Sequence, residues 1–146
     1  MTTDSRSSEV SRAVSRAHYD PGARPLHVVS LVRTFELGSI CELVVISLEA
    51  WTTMFVLSYA LFPAEGAQGL DLERTHRTPW EAADQRGGRY EGVGAAGGGD
   101  ANRWSGHIWF HPELQPNAAH LELIVPAPAP SGEFIQVRLD LPGEDH

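Results

Sequence analysis

Two histidines, His107 and His111, come closest to a metal-binding spacing. They lie four residues apart, which would place both side chains on one face of a helix. The segment around them alternates as a strand does, and four residues of a strand span about 13 Å. One ion cannot bind both unless the chain bends sharply at Pro112, so we predict no metal site here.

A second polar cluster consists of His76, Asp71 and Glu73, in a segment predicted to be a loop. Its spacing fits no known class of calcium or zinc site, so we interpret it as a solvated acidic loop. Cys41 is the single cysteine, which excludes an internal disulfide and a cysteine-based zinc site. We interpret Cys41 as a small buried hydrophobic residue.

Residues 92–97 match the letters G-x-G-x-x-G. A dinucleotide site needs a helix that begins at this motif, and here Gly98, Gly99 and Asp100 follow instead. We therefore predict a mobile loop from Gly92 to Asp100 and no cofactor. No G-x-S-x-G, H-E-x-x-H or Walker sequence occurs, although two carboxylates distant in the sequence could still form a glycosidase site.

Four tryptophans suggest binding in place of catalysis. Trp51 and Trp109 fall on the less apolar faces of their predicted strands, and exposed aromatic side chains anchor protein partners and sugar rings. The candidate binding residues are therefore Trp51, Trp109, His107 and Arg103. The alternative is that both tryptophans simply pack against a second layer of the protein.

The element that must position these residues is a hairpin over residues 40–62, rich in β-branched and aromatic residues. Its turn is predicted at Thr52 and Thr53, and its second strand ends at Pro63. Alternation makes the face with Ile40, Glu42, Val44, Ile46, Leu48 and Ala50 the more apolar one in the first strand. We therefore predict that Val44, Ile46, Phe55 and Leu57 are buried. The segment from Leu43 to Phe62 is long enough to span a membrane, but Glu49 would place a charge inside the bilayer, so a span is disfavoured.

Strand patterns continue along the chain and give about eight short strands, the first over Leu26 to Phe35. One short helical turn is predicted over Leu70 to Thr75. Such spacing predicts an all-β protein, an immunoglobulin-like antiparallel β-sandwich of seven to eight strands, over residues 26–141. Residues 1–25 are predicted to be a flexible leader with a short helical pattern, and residues 142–146 an acidic tail.

Length indicates the number of domains, and net charge disfavours one class of binding partner. The 146 residues fit one domain, and 19 acidic against 11 basic residues give a net charge of −8. This charge opposes binding to nucleic acid, which requires neutralisation of phosphates. The N-terminus has no apolar segment typical of a secretory signal, so a cytoplasmic location is expected.

Several short stretches resemble small immunoglobulin-like β-sandwich proteins of high-GC, actinobacterial-type bacteria. They are Trp80, Asp84, Gly87 to Tyr90, the glycine-rich segment, Trp104 to Gly106, Phe110 to Leu114, Ala118-Ala119 and Leu121 to Leu123. The resemblance covers roughly residues 26–141 and involves turn and core positions. It implies a sandwich fold and identifies no catalytic residue.

The sequence thus predicts a non-enzymatic, acidic interaction module that binds a protein partner or associates with itself. One alternative is a carbohydrate-binding module that uses exposed tryptophans. Another is a hydrolase with dispersed carboxylates, which would show clustered acids of perturbed pKa in a cleft.

Overall fold

The computed structural model describes residues 25–67, 69–129 and 132–142. In these ranges the chain forms β1 (His27–Leu37), β2 (Cys41–Ala50), β3 (Phe55–Pro63), α1 (Leu72–Arg77), β4 (Glu81–Asp84), β5 (Arg89–Gly99), β6 (Trp104–His111), β7 (His120–Pro126) and β8 (Phe134–Asp140). The predicted leader lies outside the described residues except for Pro25, and the predicted tail except for Pro142.

The eight strands belong to one antiparallel sheet in the order β1-β2-β3-β6-β5-β4-β7-β8. The edge strands β1 and β8 approach each other, so the sheet is nearly closed and barrel-like, and we call the gap between them the seam. The all-β, antiparallel class is confirmed. The immunoglobulin-like sandwich is not confirmed, because a sandwich divides its strands between two sheets.

The predicted central hairpin is present as β2 and β3, which pair antiparallel around a turn at Thr52 and Thr53. The backbone N–H of Trp51 donates to the Met54 carbonyl at 2.9 Å and closes this turn. Pro63 is the last residue of β3, as predicted.

The predicted buried face of β2 is wrong in its first half. Ile46 is an extra residue between the pairs Val45–Tyr59 and Ser47–Ser58, so it forms a bulge. A bulge of one residue reverses which side chains face inward, because the side-chain period of a strand is two. Cys41, Leu43 and Val45 are therefore buried before the bulge, and Leu48 and Ala50 after it.

The consequence for the other face is that Ile46 is 40% exposed and Val44 half-buried, while Phe55 and Leu57 are buried as predicted. The physical reason is charge. The face predicted to be inward contains Glu42, whose burial without a partner would be costly, whereas Cys41, Leu43 and Val45 carry no charge.

Aromatic side chains fill the interior of the sheet. Phe55 stacks on Phe110 with ring centroids 4.9 Å apart and meets the edge of Tyr90 at 5.1 Å. Trp80 lies 4.9 Å from Tyr59, and both rings are fully buried. Each such ring stabilises the fold by roughly 1.5–3 kcal/mol before the cost of chain entropy.

The glycine-rich segment predicted as a loop is in fact the second half of β5. A Cβ at Gly97 would collide with the Ser105 carbonyl oxygen of β6 and would lie 3.2 Å from His76 Cε1 of α1. Glycine therefore lets strand and helix approach closely at this position, which is a packing role that composition alone does not distinguish from loop flexibility.

The helix α1 confirms the predicted helical turn, although it begins at Leu72 and ends at Arg77. The Asp71 carboxylate caps its N-terminus by accepting from the Arg74 N–H at 3.1 Å. Leu72, Thr75 and His76 form the buried side of the helix, which packs near β5, β6 and β7.

Candidate functional site

A pocket of about 700 Å³ opens at the end of the sheet where β1 begins and β2 and β8 end. We call it the mouth pocket. Pockets that enclose small ligands usually measure roughly 300–1,000 Å³, and the mouths of barrel-like sheets are a preferred place for them.

The lining of the mouth pocket is predominantly apolar. Its main hydrophobic side chains are Leu26, Val29, Leu48, Trp51, Leu114 and Leu141. Leu48 belongs to the buried core, and Val29, Leu114 and Leu141 pack against that core. The pocket is thus continuous with the interior of the sheet. Its polar contributors are His27, Thr52, Glu113 and Gln115.

One wall of the pocket belongs to the connection between β6 and β7, residues 112–119, which we call the wall loop. The side chain of Gln85, in the turn between β4 and β5, holds the end of this loop. Its Nε2 donates to the Asn117 carbonyl at 2.9 Å, and its Oε1 accepts from the Ala119 N–H at 2.9 Å. One amide side chain thus satisfies two backbone groups of a segment that does not pair with a strand.

A buried carboxylate and phenol hold the middle of the wall loop. The Tyr90 hydroxyl donates to Asp84 Oδ2 at 2.6 Å and accepts from the Gln115 N–H at 3.2 Å. The other carboxylate oxygen, Asp84 Oδ1, accepts from the Arg86 and Gly88 N–H groups at 2.8 and 2.9 Å. Asp84 therefore links the turn after β4 to the wall of the pocket.

Electrostatics of this pair follow from burial and hydrogen bonding. Burial by itself would raise the pKa of Asp84, but hydrogen bonds from Tyr90, Gly88 and Arg86 outweigh it and hold the pKa below its ordinary value. Burial, and next the Asp84 carboxylate, raise the pKa of Tyr90 to about 12. Asp84 is thus a carboxylate and Tyr90 a neutral phenol at physiological pH, which suits a structural link and not proton transfer.

A second buried polar pair joins Tyr59, in the middle of β3, to His76 of α1. The Tyr59 hydroxyl is 2.8 Å from His76 Nδ1, and His76 is only 9% exposed. The solvated loop predicted around His76 is therefore wrong, since the helix α1 directs this ring into the interior. Gly106 provides the space, because a Cβ there would lie 3.2 Å from the imidazole.

Protonation states at this pair are set mainly by burial. Burial lowers the pKa of His76, and the Glu73 carboxylate opposes this only in part. Burial also raises the pKa of Tyr59, opposed by the nearby indole N–H of Trp104. The neutral imidazole and the neutral phenol share this hydrogen bond, so the pair is internally satisfied.

Trp51 and Trp109 occupy positions unlike those expected of exposed anchors. Trp51 is 8% exposed and packs with Met54 and Val56 in a cluster on the outer face of the sheet, against which Trp109 also packs. Its indole N–H donates to Glu49 Oε1 at 3.2 Å. Both tryptophans therefore pack against neighbouring side chains of one outer-face cluster, and Trp51 also lines the mouth pocket.

His107 and Arg103, the remaining predicted binding residues, are both exposed. His107 Nδ1 lies 2.9 Å from Ser58 Oγ on the outer face of β3 and β6. Arg103 lies before β6 in a turn where its backbone N–H donates to Asp100 Oδ1 at 3.2 Å. Six residues of strand separate Arg103 from Trp109, about 20 Å, so the four predicted residues do not form one site.

The mouth pocket itself was missed at the sequence level. Its residues come from four separate segments, and no local motif connects Leu26, Leu48 and Leu141. The one available signal was Trp51, at the end of a strand beside a turn.

In the ranges described above, no helix is long and apolar enough to cross a lipid bilayer. The same ranges contain no group of three or more His, Cys, Asp or Glu side chains that could hold a metal ion. No protein-family model matches the chain, and no match is found among the curated proteins or the solved structures.

Proposed function

We propose that this chain is a non-enzymatic binding protein that holds a small, largely apolar molecule in the mouth pocket. The observation that carries the proposal is an open pocket of about 700 Å³ whose apolar lining continues into the core. Burying apolar surface of a ligand there contributes roughly 25 cal/mol per Å² before the costs of association.

The absence of a reactive arrangement at the pocket favours binding over catalysis. The polar groups around it hold the wall loop: Asp84 and Tyr90 are engaged with each other and with backbone N–H groups. Among the described lining residues, Glu113 is the single carboxylate, so a glycosidase pair does not meet there.

The test is titration with decanol, a neutral apolar probe, followed by intrinsic fluorescence and thermal unfolding. Fluorescence of Trp51 should change because this residue lines the pocket. Ligand at about 100 times its dissociation constant stabilises the folded state by roughly 2.7 kcal/mol, which raises Tm by roughly 5–11 °C for a chain of this size.

The matched variants are Ala118→Leu and Ala119→Leu. Ala118 lines the mouth pocket, whereas its exposed neighbour Ala119 does not. A118L should fill part of the pocket and weaken decanol binding at least about tenfold, a loss of ~1.4 kcal/mol, and A119L should bind as the wild type does. Equal binding by both variants, or no binding by the wild type, contradicts the proposal.

A second proposal keeps the predicted protein partner, here a second copy of the chain. The edge strands β1 and β8 each pair with one neighbour, and large exposed apolar residues concentrate along the seam: Leu26, Val28, Val32 and Phe134 are 52–63% exposed. Unpaired edges with apolar side chains favour strand addition. Sedimentation at increasing concentration should show dimers that Val28→Lys abolishes; a monomer throughout would exclude this association.

The carbohydrate-binding alternative and the cytoplasmic location are kept as predictions. Titration with oligosaccharides in the same fluorescence assay tests the first. Fractionation of the native host tests the second.

A further inference from the structure

The charge of the mouth pocket is one-sided. Among its described lining residues Glu113 is the only acidic one, and none is an arginine. The chain contains no lysine. The Glu113 carboxylate makes no ion pair with any described residue. Among the described residues it is therefore a negative charge without an ion-pair partner, at the edge of an apolar pocket.

The rest of the molecule reinforces this charge. The net charge of −8 gives a field that attracts cations and repels anions, and the field is strengthened in concave, poorly solvated places. Two unit charges about 4 Å apart attract by about 1 kcal/mol in bulk water and by several times more near a protein surface. A ligand cation beside Glu113 would therefore gain affinity that a neutral ligand of the same shape would not.

Trp51 is a second lining residue, of a type that attracts cations. It lines the same pocket, and the face of an indole ring attracts ammonium groups within about 6 Å of its centre. The opposite kind of ligand, an alkyl carboxylate, needs Arg, Lys or several N–H donors to hold its charge. The described lining of the pocket supplies no basic side chain that is always charged.

We propose that the mouth pocket binds an apolar amine, with its hydrocarbon part against Leu48 and Leu114 and its ammonium group beside Glu113. This inference rests on the proposed function and specifies its ligand class. The same geometry disfavours fatty acids, since a carboxylate at the opening would meet Glu113 without a counter-charge. No bond is formed or broken in this process.

The experiment compares three probes of equal chain length, decylamine, decanol and decanoate, at physiological ionic strength and below their micelle concentrations. Calorimetric titration at about pH 8 avoids the range in which histidine side chains usually become charged. We expect decylamine to bind about tenfold or more tighter than decanoate, with decanol between them, because the Glu113 carboxylate attracts an ammonium group and repels a carboxylate.

Two variants that each remove one negative charge distinguish the effect of Glu113 on binding from the effect of the net charge of the whole molecule. Glu113→Gln should reduce the ratio of decylamine to decanoate affinity by about fivefold or more, while decanol binding stays within about twofold. Glu36→Gln removes the same charge from an exposed position at the other end of β1 and should leave the ratio unchanged.

The outcomes distinguish this inference from the proposed function. If decanol binds but decylamine is not preferred over decanoate, the ligand class is wrong and the binding function stands. If the preference is equally reduced by E36Q and E113Q, or by neither, the assignment to Glu113 is wrong. If none of the three probes binds, both proposals fail.

Discussion

Replacement of Tyr90 by phenylalanine removes a single oxygen atom from the link between the core and the wall loop. That hydroxyl donates to Asp84 Oδ2 at 2.6 Å and accepts from the Gln115 N–H at 3.2 Å. The ring itself keeps its edge-on contact with Phe55, so Tyr90→Phe changes hydrogen bonding and leaves the packing of the ring intact.

The expected cost is the sum of two lost hydrogen bonds. A hydrogen bond to a charged group contributes about 1.5–3 kcal/mol and one between neutral groups about 1 kcal/mol. Since Asp84 keeps its bonds from Arg86 and Gly88, we expect the free energy of unfolding at neutral pH to fall by about 2–4 kcal/mol. Tm should fall by roughly 4–16 °C.

The pH dependence identifies the cause. In the folded protein the pKa of Asp84 is below its ordinary value of 3.8, so its contribution to stability is complete above pH 3.8 and is lost as the pH falls through the folded pKa. Without the Tyr90 hydroxyl that contribution is smaller. The difference between wild type and Tyr90→Phe should therefore be largest at neutral pH and shrink below pH 3.8.

Urea unfolding followed by tryptophan fluorescence at several pH values measures this difference. Tyr59→Phe is the control, because it removes a buried hydroxyl whose partner is the neutral imidazole of His76. At neutral pH, where His76 is neutral, we expect Tyr59→Phe to cost about 1 kcal/mol, less than Tyr90→Phe. A cost below about 0.5 kcal/mol for Tyr90→Phe, or the same cost at every pH, would refute the reasoning.

Two further predictions concern the glycine-rich strand and the buried histidine. Gly97→Ala should lower the free energy of unfolding by about 1–3 kcal/mol, because the added Cβ would meet the backbone of β6. The added Cβ of Gly98→Ala meets nothing within 4 Å, so this control should change the free energy of unfolding by less than about 0.5 kcal/mol. Equal effects of the two substitutions in urea unfolding would contradict the packing role of Gly97. His76 has a lowered pKa when folded, so its contribution to stability is complete above pH 6.5 and declines as the pH falls below 6.5, where the unfolded chain binds more protons. His76→Gln does not titrate and should show a flatter decline between about pH 6.5 and 5 in the same assay, and an unchanged slope would show that another group causes it.

The fold class was predictable because strand alternation and turn residues are local signals. The hairpin around Thr52 and Thr53 follows from them, and so does the burial of Phe55 and Leu57. Which face of β2 is buried in its first half could not be predicted, since the bulge at Ile46 depends on pairing with both β1 and β3. One extra residue then exchanged the two faces of the first half of that strand.

The candidate site was less predictable because it depends on contacts between distant segments. Gln85 and Ala119 are far apart in the sequence, and no pattern indicates that one amide side chain clamps the wall loop. The glycines of β5 were predicted to be a loop, because the neighbours that require glycine at position 97 are set by tertiary structure. Trp51 was a candidate binding residue because it was expected on an exposed face, but its side chain is only 8% exposed.

The seam also sets an order in which the molecule opens. Strands β1 and β8 have neighbours on one side only, whereas β6 lies midway around the sheet between two partners. Amide hydrogens should therefore exchange with deuterium first at the seam and last at β6, since local openings cost least where the fewest contacts are broken. Because the first residues of β1 also line the mouth pocket, partial separation of these edges would widen the opening of the pocket while the aromatic interior stays intact.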